Sequence, residues 1–208
     1  MDAAFFTAWI DEIARAVTAG RERLTRLDAA IGDADHGANL DRGFTAVREA
    51  LAAKPPATPG AVLTLAGTTL IRKVGGASGP LYGTALRQMG AALGSAPEVT
   101  AGELAAALEA GVAGVRKLGG AEEGDKTMVD ALAPAARALT AAVAGGLKDG
   151  EALAAARAAA EEGARTAVPL QARKGRASYL GERSAGHEDP GAASTVLILT
   201  ALHTTATR

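Results

Sequence analysis

Cysteine is absent from the 208 residues, which excludes disulfides, thiolate metal sites and cysteine nucleophiles and fits a reducing compartment. Aromatic side chains are scarce as well, at 3% of the chain, so the core has to come from closely approaching Ala, Leu and Val helix faces rather than from large rings. Charge of one sign is also missing: 22 Lys and Arg against 23 Asp and Glu leave a formal net charge of -1. That balance offers no excess field for a nucleic-acid backbone or an anionic membrane. No apolar run approaches the roughly 18 residues of a membrane span, and the start Met1-Asp-Ala-Ala-Phe-Phe6 carries no basic leader region. The expectation is a cytoplasmic chain, one domain over residues 1–208, without nucleic-acid or membrane partners.

Helical periodicity is plentiful. Apolar residues return at three- and four-residue steps from Phe6 through Trp9, Ile13 and Val17 to Leu27, and again in Leu40, Phe44, Val47 and Leu51 before Lys54-Pro55-Pro56. Thr58 with Pro59 reads as the cap and first position of a third helix, which Gly75-Gly76 ends. A fourth helix starts at Pro80. Thr100 and Glu103 form a capping box for a fifth, stopped by Gly119-Gly120. Met128, Leu132, Leu139 and Val143 mark a sixth with a kink near Pro134, the alanine-dense stretch from Glu151 to Val168 a seventh, and Asp189-Pro190 opens the last. Thr195-Val-Leu-Ile-Leu-Thr200 would also suit a strand, but it has no strand partner of similar quality. Eight helices with mostly short connections predict an all-α, antiparallel up-and-down bundle. Its connections near 28–39, 75–80, 119–127 and 170–190 then meet at one end.

Those connections carry the unusual chemistry. Asp28, Asp33 and Asp35 put three carboxylates within eight residues, flanked by Gly32 and Gly37. Like charges this close repel unless a cation neutralises them, and an all-oxygen set suits magnesium shared with phosphate oxygens. A calcium helix-loop-helix is excluded because counting from Asp33 gives Ala38 and Phe44 where that loop needs Gly and Glu. The bland alternative is that the aspartates only cap the second helix. His36 beside them reads as a hydrogen-bonding neighbour of the metal ligands, with a phosphorylated nucleophile or general base as the other roles open to it.

Gly75 to Thr84 is a glycine- and serine-rich turn entering a helix, where free amides and the helix dipole attract phosphate and Ser78 adds a hydroxyl; a plain tight connection would look the same. Neither the Walker pattern nor a dinucleotide G-x-G-x-x-G is present. Lys126 and Thr127 are placed either to reach a phosphate or metal water or to form an ordinary solvated cap. Met128 is expected to face inward on the first turn of its helix. The stretch from Gln171 to Gly191 is long for a loop and rich in Arg, as suits a phosphate clamp, a docking segment or a solvated loop.

Four segments together closely resemble the ADP-binding L subunit family of bacterial dihydroxyacetone kinase, which is also the nucleotide-binding domain of ATP-dependent single-chain kinases. They are Leu27 to Gly37, Val74 to Gly83, Gly124 to Met128, and Gln171 to Ser184 with Gly186-His187 and Asp189-Pro190-Gly191. The resemblance implies an eight-helix barrel with the nucleotide at one end and two magnesium ions held by Asp28, Asp33 and Asp35. It also implies that His36, Gly37, Ala38, Asn39, Ala77, Ser78, Gly119, Met128, Arg176, Asp189, Pro190 and Gly191 surround ADP or ATP. Gly120 stands where the family is expected to have a polar residue, and Glu123 where it is expected to have proline. In the resembled family ADP stays bound, is rephosphorylated by a phosphohistidine protein of the phosphotransferase system, and its γ-phosphoryl group passes to dihydroxyacetone on a partner K subunit. No catalytic side chain beyond the metal-nucleotide centre is implied, and homodimerisation is left open. The alternatives are an ATP-exchanging kinase subunit acting on dihydroxyacetone or another small ketose, and a module whose nucleotide state signals to a regulator.

Overall fold

The computed structural model describes residues 1–208 and contains eight α-helices and one 3₁₀ segment. The helices are α1 (Ala3–Ile31), α2 (His36–Ala53), α3 (Pro59–Lys73), α4 (Ser78–Leu93), α5 (Ala101–Gly119), α6 (Val129–Ala144), α7 (Asp149–Ala167) and α8 (Pro190–Ala206). The 3₁₀ segment is Arg176–Ser184. There is no strand, only an isolated bridge between Asp2 and Glu98, so the stretch from Thr195 to Thr200 is helical as expected.

Each helix packs against its neighbours in sequence, and α8 packs back onto α1, which closes the up-and-down bundle into a barrel. One apolar core fills it, with Phe6, Trp9, Ile13, Phe44 and Leu104 essentially without solvent contact. The indole N–H of Trp9 donates to the Ile198 carbonyl at 3.0 Å, so the one polar atom on the largest core ring is satisfied. Alanine and glycine allow close approach elsewhere. A side chain at Gly67 on α3 would collide with the Gly83 carbonyl on α4, so these two helices meet backbone to backbone. No helix is long and apolar enough to cross a membrane.

Pro134 lies inside α6, and two expectations are corrected. Helix α4 begins at Ser78 rather than Pro80; proline fits in the first turn because its missing amide would have had no helical partner there. The expected loop 170–190 contains the nine-residue 3₁₀ segment, broken by Gly181 at φ 58. It is pinned by main-chain bonds from Arg173 to Asp125 and from Gly186 to Val168, and by Ala172 N–H to Ser184 Oγ at 2.8 Å.

Candidate functional site

The last turn of α1 and the short link to α2 form an acidic corner. Oxygens of Asp28, Asp33 and Asp35 lie within 4.8 Å of one another. Asp28 is buried, and its Oδ2 accepts the main-chain N–H of Asp35 at 2.8 Å and of His36 at 3.1 Å. Its other oxygen packs over Gly32, where any side chain would collide with it. The link turns through Ala34 in the left-handed region at φ 62, a conformation that costs a non-glycine residue about 1 kcal/mol. Capping accounts for one of these carboxylates at most: Asp28 serves the first amide of α2, whereas the N-cap residue Asp35 makes no side-chain cap bond. An all-carboxylate set with one buried, anchored member and two less buried partners fits a hard divalent ion. Arg176 reaches Asp33 Oδ2 at 2.6 Å from the 3₁₀ segment, placing positive charge on the same corner.

Four helix starts converge on this end. Helix α4 begins at Ala77 and Ser78 without a side-chain cap, leaving first-turn amides free to face an anion. Helix α8 is capped by Asp189, whose Oδ2 accepts the Ala192 N–H at 2.7 Å. Burial pushes the Asp189 carboxyl up to about 7, with Asp130 adding to the shift and Lys126 opposing it. Burial likewise pushes the His36 imidazole below its ordinary value, against the pull of Asp28 and Asp35. His36 Nε2 lies 2.9 Å from Ser194 Oγ. That nitrogen is engaged within the protein, which favours the hydrogen-bonding role over a phosphorylated nucleophile.

Lys126 does neither of the two things expected of it. Its side chain is buried, and its ammonium donates to the carbonyls of Ala167 at 3.1 Å and Val168 at 2.6 Å, closing the C-terminus of α7. Asp130 and Asp189 are its counter-charges. To turn inward it takes a left-handed backbone, φ 59. Thr127 stays at the surface of the site, and its hydroxyl accepts the Val129 N–H.

A cavity of about 540 Å³ joins these parts. Of the expected residues, Asp28, Asp33, Asp35, His36, Ala77, Ser78, Gly119, Met128, Arg176, Asp189, Pro190 and Gly191 line it. Gly37, Ala38 and Asn39 do not. Gly37 is pressed against the Arg21 carbonyl on α1, and Asn39 accepts Arg42 Nη2 at 2.7 Å beside the Gly75-Gly76 turn. What these residues present to the site is the start of α2 rather than side chains. Part of the cavity wall is apolar, formed by Leu81, Val115, Leu118, Ala121 and Met128. Sequence reasoning missed this slot because its members look like ordinary helix-face residues; Leu118, 53% exposed at a helix end, is the one legible signal. It also missed Tyr82, whose hydroxyl is the polar handle of an otherwise buried ring.

The DAK2 domain family matches residues 30–204. The chain belongs to the DAK2 domain family. This DAK2 domain is 43% identical over 191 residues to the ADP-binding subunit DhaL of the PEP-dependent dihydroxyacetone kinase of Escherichia coli (strain K12), covering 92% of this chain and 91% of that protein. It is 42% identical over 194 residues to the ADP-binding subunit DhaL of PEP-dependent dihydroxyacetone kinase 1 of Listeria innocua, covering 93% and 92%. Among solved structures it superposes on the dihydroxyacetone kinase from C. freundii in complex with AMP-PNP and Mg2+ with a TM-score of 0.75 and 27% identity, over 97% of this chain. It spans about a third of the length of that kinase, 34%. The eight-helix architecture expected of the family is the one observed.

Proposed function

We propose that this DAK2 domain is the ADP-binding, phosphoryl-transferring subunit of a phosphotransferase-system-dependent dihydroxyacetone kinase. The observation that carries the reading is the three-carboxylate corner facing the uncapped start of α4 across one cavity. Magnesium, two ions in this proposal, would neutralise charge on the phosphates of ADP, which would be converted to ATP by a phosphohistidine protein and would return to ADP as the γ-phosphoryl group passes to dihydroxyacetone on a partner K subunit. Asp28, Asp33 and Asp35 hold the metal side. The amides around Ala77 and Ser78, with the Ser78 hydroxyl, orient the phosphates, and the guanidinium of Arg176 moves from Asp33 onto phosphate as cations take its place. The apolar slot of Leu81, Val115, Leu118 and Met128 takes the base, and the first turns of α2 and α8 frame the sugar and diphosphate.

No side chain is placed to form a covalent intermediate, so catalysis rests on positioning and charge. Leu118 and Tyr179, 53% and 84% exposed at the mouth, offer apolar contact to whichever protein delivers or takes the phosphoryl group. The proposed setting is the cytoplasm, where the donor would be found. Mass spectrometry of the ligand released on denaturing freshly purified protein tests this. ADP at about one copy per chain is expected, lost in Asp33→Ala with helix content unchanged by circular dichroism. An Asp33→Ala protein that still carries stoichiometric ADP overturns the proposal, and wild-type protein that emerges empty and consumes free ATP replaces it with an ATP-exchanging kinase.

A further inference from the structure

Tyr82 sits on α4, one turn beyond the uncapped start at Ser78, and its ring is buried between the cavity and the core. Its hydroxyl oxygen meets three others: the Gly191 carbonyl at 2.9 Å, Ser194 Oγ at 2.6 Å and Thr195 Oγ1 at 2.9 Å. The hydroxyls of Ser194 and Thr195 also reach the Gly191 carbonyl, at 3.1 and 2.9 Å. Ser194 Oγ in turn lies 2.9 Å from His36 Nε2, immediately after the acidic corner. One phenol oxygen therefore joins α4 to α8 directly and to α2 through Ser194. Those are three of the helices whose first turns face the cavity.

A carbonyl oxygen has two lone pairs, and three hydroxyls approach this one. They must also accept from one another, so the group behaves as one network rather than as separate bonds. Burial pushes the Tyr82 phenol well above its ordinary value, so it keeps its proton throughout the working range. Gly191 is the carbonyl at the centre and belongs to the first turn of α8. A side chain there would stand 3.0 Å from Asp189 Oδ2 and 3.3 Å from the Met128 main chain, so small shifts of this turn are felt on both sides of the cavity.

We propose that Tyr82 is a positioning residue for the bound nucleotide. Acting through Ser194 and Gly191, it fixes the first turn of α8 against His36 and thereby sets the spacing between the acidic corner and the amide-lined side of the cavity. This inference rests on the nucleotide reading above. Phenylalanine at position 82 keeps the ring that packs into the core and removes only the O–H, so it separates positioning from packing.

The test compares wild type, Tyr82→Phe, Ser194→Ala and the double variant as full chains. ADP affinity in magnesium is measured by calorimetry, melting temperature by circular dichroism, and the His36 ring nitrogens by NMR in ligand-free protein. Each single change is expected to weaken ADP binding about tenfold, the loss of one to two network bonds. The double variant should lose clearly less than the product of the two. Tyr82→Phe should also move the His36 ring resonances, although the two residues do not touch. Thr195→Val substitutes for Tyr82→Phe should the latter not fold, since it removes a network hydroxyl with little change in volume. A Tyr82→Phe protein with a lowered melting temperature but wild-type ADP affinity and wild-type His36 resonances overturns the proposal, as do effects that simply multiply. Failure of the wild type itself to bind ADP would defeat the functional reading instead, and the His36 resonances of the ligand-free proteins would still decide whether Tyr82 governs that corner.

Discussion

The two ends of the barrel treat their helix termini in opposite ways. At the end that holds both chain termini, helices start under caps supplied by nearby side chains. Asp2 accepts the Phe5 N–H, Thr58 accepts that of Ala61, Thr100 and Glu103 form a reciprocal box, and the Glu151 carboxylate accepts the Lys148 N–H. At the cavity end only α8 is closed by its own N-cap side chain, while α2, α4 and α6 are not. The α6 start is partly served by Thr127 and Asp130. Both non-glycine residues with left-handed backbone, Ala34 and Lys126, belong to this end too. One end satisfies itself; the other keeps donors and carboxylates in reserve and holds them in place with buried charges. Under the proposed function a ligand that brings metal and phosphate would complete the second end, in keeping with polar groups arranged around a space rather than around each other.

The sharpest way to break this comparison is through Asp189, a cap at the cavity end that is buried next to Asp130. With its carboxyl raised to about 7 in the fold and near 4 in an unfolded chain, the folded protein retains a proton that the unfolded chain gives up. Stability contributed by this group is therefore fully present at low pH and falls as pH rises from about 4 to about 7. Asparagine caps as well as aspartate and does not titrate. Asp189→Asn in ligand-free protein should remove that slope, gaining on wild type by up to about 4 kcal/mol between pH 4 and 8. Denaturant unfolding across this range checks it; parallel curves for the two proteins would show that Asp189 ionises normally.

Lys126 gives the next largest effect. It adds a charged side-chain donor at the end of α7, whereas Gly94 and Gly145 finish α4 and α6 with main-chain bonds alone. Lys126→Met keeps the length and burial of the side chain but takes the ammonium from the Ala167 and Val168 carbonyls, which retain only the Leu170 and Gly186 N–H, and leaves two buried carboxyls without their cation. A loss of about 3 kcal/mol in unfolding free energy is expected, measured by urea denaturation, because removing one partner leaves the buried Asp130 and Asp189 carboxyls uncompensated. Were Lys126 a phosphate ligand instead, the same change would weaken ADP binding and leave the ligand-free stability nearly untouched.

Side-chain caps at both ends were legible in the sequence. Thr58-Pro59, Thr100 with Glu103, and Asp189-Pro190 are local signals, complete within four residues, and the helices start where they point. The aspartate corner was legible for the same reason, since Asp28, Asp33 and Asp35 are close in the chain as well as in space. What could not be read is what chain-distant contacts decide. The direction of Lys126 depends on where α7 ends, 41 residues away. Tyr82 meets Ser194 across 112 residues, and the slot of Leu81, Val115 and Leu118 exists only once α4 and α5 are side by side. The start of α4 was misread because Pro80 is a helix-start signal that tolerates any of the first-turn positions.

Thr100 provides the smallest effect and the cleanest contrast. Its hydroxyl accepts the Glu103 N–H at 3.2 Å and donates to Glu103 Oε2 at 2.9 Å, all on the exposed surface of the far end. Thr100→Ala frees an amide that water can serve, so the cost should be about 1 kcal/mol, roughly a 3 °C fall in melting temperature for a chain of this size. Nothing connects this cap to the cavity except the length of α5, whose other end supplies Val115, Leu118 and Gly119. A frayed first turn propagates poorly along a helix that is packed on both sides, so ADP affinity should stay within about twofold of wild type. A tenfold loss of ADP binding in Thr100→Ala would mean that α5 shifts as a rigid rod and that the two ends are one mechanical unit; an unchanged affinity beside the expected fall in melting temperature shows that the barrel keeps the stability of one end separate from the binding of the other.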